Sequence, residues 1–167
     1  MKRLISVLLA AVMVAAMSSS VFAAGMSAQD IALRNAKLTK SQVKNLRTEY
    51  DHEDGIYEVD FRSKKNGAKY SYEIGSRNGK IYERSIDYKY KRSYSRDKVG
   101  QSAARKAASK KSGVRLAAVK KGICSYDYDD GEGFYEIKFR SGKYKYDIEV
   151  QAPTGKVTEY KWEYMGR

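Results

Sequence analysis

Strict alternation of apolar and charged side chains is the first pattern along the 167-residue chain. Tyr57, Val59 and Phe61 fall on one side of an extended segment and Glu58, Asp60 and Arg62 on the other. Tyr70, Tyr72 and Ile74 repeat the pattern one strand later. A period of two belongs to a strand with one buried face. Asn66-Gly67 and Asn78-Gly79 stand between these runs, and primed hairpin turns favour that dipeptide because both central residues take positive φ. Antiparallel hairpins with one dry and one wet face follow. Ahead of the strands, Ile31, Ala32, Leu33 and Ala36, with Asp30 near the amino end, predict a short amphipathic helix.

The pattern occurs twice. Gly55-Ile56-Tyr57-Glu58-Val59-Asp60-Phe61-Arg62-Ser63 returns 78 residues later as Gly133-Phe134-Tyr135-Glu136-Ile137-Lys138-Phe139-Arg140-Ser141. Tyr70 to Ile74 matches Tyr144 to Ile148 at a spacing of 74, and Gly79-Lys80-Ile81 matches Gly155-Lys156-Val157 at 76. The spacing changes only at turns, as small loop insertions require. The predicted architecture is α+β: two tandem units, each an N-terminal helix packed on a three- to four-stranded antiparallel meander. Unit 1 covers 24–88, a basic linker 89–98, and unit 2 99–167. The second helix, from Gly100 to Lys111, is rich in alanine and lysine and is expected to be polar and frayed.

An Ile-Ala-Leu helix, a Gly-x-Tyr-Glu-Val/Ile strand, a Tyr-x-Tyr-Glu/Asp-Ile strand and a Gly-Lys-Ile/Val turn, in that order, resemble the PepSY domain of bacterial secreted proteins. They stand here as Ile31-Ala32-Leu33, Tyr57-Glu58-Val59, Tyr72-Glu73-Ile74 and Gly79-Lys80-Ile81, and again as Tyr135-Glu136-Ile137, Tyr146-Asp147-Ile148 and Gly155-Lys156-Val157. The second copy carries Ala103-Ala104-Arg105 in place of the Ile-Ala-Leu helix. The resemblance implies an exported module that binds, and restrains, an extracytoplasmic peptidase or other envelope protein. It supplies no catalytic or ligand residues. No peptidase domain follows the repeats in this sequence, so the expected target is a separate protein. Two helix-plus-sheet copies in about this length also resemble the secreted protein inhibitors of β-lactamase in architecture.

The N-terminus adds an address. Lys2 and Arg3 precede a run from Leu4 to Ala16 that is apolar except for Ser6, and Val21-Phe22-Ala23 places small residues before a cut at Ala23/Ala24. Residues 1–23 therefore read as a secretory signal peptide, too short to span a bilayer, leaving no transmembrane segment after cleavage. The expected location is secreted, periplasmic or cell-envelope. Charge then changes the picture. The chain is +13 at pH 7, and without Lys2 and Arg3 it is +11. Export turns the expected partner of such a charge away from nucleic acid and toward anionic envelope polymers, headgroups or acidic proteins.

One His and one Cys exclude an intramolecular disulfide and a Cys/His zinc site. No cofactor, metal or catalytic residue is expected. His52 sits in a polar loop without a second imidazole. The loop Asp127 to Glu132 gathers carboxylates but misses EF-hand spacing, and it reads as a solvated acidic turn. Cys124 reads as a small strand residue. Two binding surfaces remain. Tyr160, Trp162 and Tyr164 alternate with charged residues on the last strand; facing outward they would contact a protein partner, facing inward they would cover core. Lys89, Lys91, Arg92, Arg96 and Lys98, interleaved with Tyr90 and Tyr94, suit an anionic cell-wall or membrane polymer or a solvated linker. The chain thus reads as a non-enzymatic binding module, with an electrostatic adaptor as the alternative.

Overall fold

A computed structural model describes residues 26–166; the segment 1–23, expected to be a signal peptide, lies outside them. Helix α1 (Ala28–Ala36) opens the fold, and a 3-10 turn (Lys40–Gln42) leads into strands β1 (Val43–Asp51), β2 (Ile56–Ser63), β3 (Lys69–Gly75) and β4 (Ile81–Asp87). Helices α2 (Gly100–Ser112) and α3 (Leu116–Lys120) follow, then β5 (Ile123–Asp129), β6 (Glu132–Ser141), β7 (Tyr144–Gln151) and β8 (Val157–Tyr164).

The strands form one sheet, in the order β1-β2-β3-β4-β8-β7-β6-β5, antiparallel throughout. This overturns the predicted pair of separate helix-plus-meander units. Strand β4 pairs directly with β8, from Glu83↔Glu163 to Asp87↔Glu159, so the two meanders fuse through their last strands. One buried cluster then runs through both halves, with Ala28 and Leu33 at one end, Tyr72, Ile86 and Tyr160 in the middle, and Ala104, Val119 and Ile137 at the other. Pairing two last strands removes two edges that would otherwise stand open.

Helix α1 forms where the apolar periodicity placed it. Ser27 and Asp30 make a capping box, and Lys37 ends the helix in the left-handed region at φ 57°. Ala32 and Leu33 turn into the core, and the Tyr72 hydroxyl donates to Asn35 at 3.3 Å. The expected fraying of the second helix is not what is observed. Helix α2 runs for 13 residues, buries Ala104 and Ala108 completely, and ends at Gly113 with φ 73°. Arg105 donates to the carbonyls of Val119 (2.7 Å) and Gly122 (3.0 Å), tying α3 beneath it. Alanine is small enough to bring a lysine-rich helix close to the sheet, which the count of apolar residues hides.

The two meanders have matching registers, but the spacing between corresponding residues differs from that read off the sequence. Phe61 pairs with Tyr70 and Phe139 with Tyr146, so Tyr70 corresponds to Tyr146 rather than Tyr144. Glu58, Glu73 and Glu83 then correspond to Glu136, Glu149 and Glu159, and Ser85 pairs with its own counterpart, Lys161, at the centre of the sheet.

The helices cover one face. The other is a charged surface laid out in rows by the register. One row crosses the sheet as Glu49, Glu58, Glu73, Glu83, Glu163 and Lys145, ending beside Arg140. Another, four residues along each strand and five on β1 across its bulge, reads Lys44, Arg62, Lys69, Asp87, Glu159, Glu149 and Glu136, with Arg47, Asp60, Ser71, Ser85, Lys161, Asp147 and Lys138 in the row between. Acidic and basic corners thus alternate around the face.

Candidate functional site

Residues 88–99, which take in the expected linker 89–98, contain neither helix nor strand, yet they are fastened along their length as a strap. At its ends Tyr88 N–H donates to the Thr158 carbonyl (2.8 Å) and Val99 N–H to that of Ala152 (2.9 Å). Between them two buried polar side chains of the second meander reach up. Glu132, 3% exposed, accepts from Arg92 Nε at 2.7 Å and from Ser93 N–H at 3.1 Å. Gln151, 1% exposed, donates to the Lys91 carbonyl at 3.0 Å and accepts from the Thr154 hydroxyl at 2.7 Å. Tyr90 stands edge-on to Phe134 with ring centroids 5.8 Å apart. Buried polar groups are tolerable only when bonded, and these are bonded to the strap.

The strap walls a cleft of about 590 Å³ whose cations are Lys89, Lys91, Arg92 and Lys156, with Tyr88 and Tyr90 alongside. A second cleft of about 390 Å³ adjoins it through Tyr88 and Lys89 and adds Lys44, Arg62 and Lys69 against a single acid, Asp87. Glu132 holds the Arg92 guanidinium above its ordinary range through their hydrogen bond. Arg92 is therefore partly committed to the fold, whereas Lys89, Lys91 and Lys156 are exposed.

Of the basic run, Lys89, Lys91 and Arg92 meet in the cleft. Arg96 does not line it, and Lys98 lies over the Tyr126 ring at 3.5 Å. Lys44, Arg62, Lys69 and Lys156 carry no local motif; only strand pairing and the turn before β8 bring them beside the strap.

The aromatic row of β8 lies on the helix-covered face near the centre of the sheet. Tyr160 is 7% exposed and belongs to the core, Trp162 is half-buried beside it, and Tyr164 is 9% exposed. The Lys80 ammonium sits 3.2 Å from the Tyr164 ring centroid, and Lys80 lowers the phenol below its usual range. Burial, above all, pushes Tyr160 up to about 12. A pair of cations is also drawn in between helix and sheet: Arg84 lies between Tyr72 and Tyr160, and Lys111 sits 4.1 Å from the Tyr88 ring centroid. Burial and Arg84 depress the Lys111 ammonium.

His52 packs edge-on to Tyr50 in the β1–β2 turn. Cys124 is half-buried, and burial raises its thiol. In the acidic loop, Asp130 (φ 50°) and Gly131 (φ 81°) form the hairpin corner, and Glu132 leaves the loop to bind the strap. Among the described residues no group of three His, Cys, Asp or Glu is placed to hold a metal ion, and no helix is long and apolar enough to cross a membrane.

No protein-family model matches the chain. It is 38% identical over 62 residues to the uncharacterized protein Spy1430 of Streptococcus pyogenes serotype M6, a match covering 36% of this chain and 46% of that protein. The match thus spans about half the length of that curated relative. Among solved structures, the Bacillus megaterium YpeB C-terminal domain aligns with a TM-score of 0.44 at 12% identity, covering 80% of this chain and 60% of that one. A protein of Clostridium difficile 630 described as a candidate lipoprotein aligns at 0.31 and 21% identity, over 73% and 82% of the two chains. A DUF2874 family protein of Bacteroides uniformis ATCC 8492 aligns at 0.30 and 14% identity, over 79% and 85%. At these TM-scores the likenesses fix neither a family nor a function, and PepSY stays a resemblance.

Proposed function

We propose that the chain is an exported, non-enzymatic module that binds an anionic polymer of the cell envelope through the strapped cleft. The observation that carries this is a pair of adjoining clefts that share Tyr88 and Lys89 and are lined by Lys44, Arg62, Lys69, Lys91, Arg92 and Lys156, with Asp87 the acid in their lining and Glu132 engaged with Arg92. Cations lined along a groove neutralise successive phosphates of a flexible chain, and binding then weakens with salt. The anchored strap holds part of this array in place before the ligand arrives, so less ordering entropy is spent on binding.

A second reading, that the module engages and restrains an extracytoplasmic peptidase or other envelope protein, draws on the edge strand β5. There Ile123 is 69% exposed and Tyr128 46% exposed, and an extended partner segment can pair with an open edge. Trp162 would add the half-buried member of the aromatic row.

One titration separates the two. The chain from Ala24 onward contains every described residue, and its affinity for poly(glycerol phosphate) is measured against ionic strength. The polymer reading expects affinity to drop steeply with salt, and Lys89→Glu with Lys156→Glu to weaken binding at least about tenfold. Indifference to both changes sinks it. Salt-insensitive capture of a secreted peptidase instead favours the protein partner.

A further inference from the structure

Two cations stand on the helix-covered face with no acid to answer them. The register lays Val59, Tyr72, Arg84, Trp162, Tyr146 and Phe139 in one row across that face, and Arg84 is its single charged member. The neighbouring row, from Phe61 through Ile86 and Tyr160 to Ile137, carries no charge. Arg84 Nε is buried and has no hydrogen-bond partner among the described residues. Lys111, in the last turn of α2, reaches toward it from the helix side. Its ammonium lies 4.1 Å from the Tyr88 ring centroid and 5.7 Å from that of Tyr160, and the Arg84 guanidinium carbon lies 6.0 Å from the same Tyr160 ring. The two are near enough for Arg84 to depress the Lys111 ammonium. Neither forms an ion pair among the described residues.

Cations drawn out of water are ordinarily matched by an anion or by hydrogen bonds. The aromatic rings meet part of that need, yet they leave the Nε–H without an acceptor. Access is open. Helix α1 packs on β2 and α2 on β6, β7 and β8, so β3 and β4 lie between the two in sheet order. Arg84, Tyr88 and Trp162 are half-buried there, and Lys111 is exposed.

We propose that Arg84 and Lys111 form a binding site for a small dianion, a phosphate or phosphomonoester group, on the covered face beside Tyr88 and Trp162. The guanidinium offers a planar fork from the sheet and the ammonium a point charge from the helix, an arrangement suited to a tetrahedral oxyanion. Two positive charges match a dianion rather than a single carboxylate. Burial raises the Tyr88 and Tyr160 phenols above their usual range, so both keep their protons beside the site. In the free protein the paired cations repel each other, and a bound dianion relieves both at once. The inference goes beyond the polymer reading. Its site shares Tyr88 with the strapped cleft and none of that cleft's cations.

Trp162 is the only tryptophan and pairs with Arg84 across β4 and β8, so its fluorescence reports on this site. The chain from Ala24 onward is titrated with inorganic phosphate and, separately, with glycerol phosphate at about pH 8, where a phosphomonoester with a second pKa of about 6 is a dianion. Sodium chloride holds the ionic strength constant. A saturable change with a Kd of about 1 mM or below is expected. Arg84→Gln and Lys111→Gln are each expected to weaken binding at least about tenfold. Lys111 is exposed, so Lys111→Gln carries the test even where Arg84→Gln fails to fold. Without phosphate, Lys111→Gln should melt no lower than the parent, and phosphate should raise the Tm of the parent alone. Lys89→Glu with Lys156→Glu should move the Kd by less than about threefold. Saturation by glycerol phosphate supports the site and assigns it an ester group; saturation by inorganic phosphate alone supports it and assigns the free ion. The inference is overturned when neither anion saturates by about 20 mM, when chloride reproduces the change, or when Lys111→Gln binds like the parent. Loss of binding in the Lys89 and Lys156 variant overturns it too, by moving the anion to the strapped cleft.

Discussion

The two ends of the sheet related by the repeat carry the same backbone and opposite treatment. On the first meander, Ile56 pairs with Gly75; on the second, Phe134 pairs with Gln151. Gly75 leaves room that Tyr82 and Asn78 fill, since a Cβ there would lie 2.7 Å from the Tyr82 ring. Gln151 instead projects an amide that captures the strap, and Glu132, where the first copy has Asp54, captures Arg92. Two side chains therefore decide which end of the sheet recruits the connecting segment. The difference teaches that the cationic cleft is a property of the second copy, assembled around two buried polar anchors.

The largest expected effect comes from breaking that contrast at Glu132. Glu132→Leu removes the acceptor of Arg92 and Ser93, and is expected to cost about 2 kcal/mol in urea unfolding, the range for hydrogen bonds to a buried charge. Hydrogen exchange should then show residues 88–99 opening before the sheet; unchanged protection there would refute the anchoring role. Gln151→Gly, which makes the second end like the first, is expected to cost about 1 to 2 kcal/mol from one lost anchor and one added glycine. The measurement is the same, with proteolysis of the strap as a second readout.

The smallest effect is a pH dependence that separates two equivalent glutamates. Glu83 is paired with Lys161 at 2.6 Å. Its counterpart Glu159 is pushed up to about 7, first by desolvation and then by Asp87, Glu149 and Asp147, although its side chain still reaches solvent. A carboxyl raised in the folded state binds its proton more tightly there than in the unfolded chain. Its contribution to stability is thus full below about pH 4.5 and is lost as pH rises through about 7. Glu159→Gln is expected to raise stability at pH 8 by no more than about 1 kcal/mol, given that exposure, and to leave it unchanged near pH 4. A gain of equal size at both pH values would show that the like charges are not its source.

Much of the fold could be read from alternation alone. The tyrosines in step with Val, Ile and Phe line the covered face, with Tyr70, Tyr72 and Tyr135 buried as expected and Tyr144 at its rim. The slip from Tyr146 to Tyr144 in the repeat was invisible because two residues return a strand to the same face. The joining of β4 to β8 was invisible for another reason: no turn connects them, and the residues they pair are far apart in sequence. At the candidate site, the basic run was legible as charge, but its partners were not. Glu132 looked like one more acid in an acidic loop, and Gln151 had no motif at all. Helix α2 was underrated because burial by alanine leaves little hydrophobic signature.

Joining the halves through their final strands also sets an order of events during synthesis. The ribosome releases β4 well before Val157–Tyr164 exists, so a nascent first half displays an unpaired border that only β8 can close. Truncation near the carboxyl end would leave that border bare and ready to recruit a strand from another molecule.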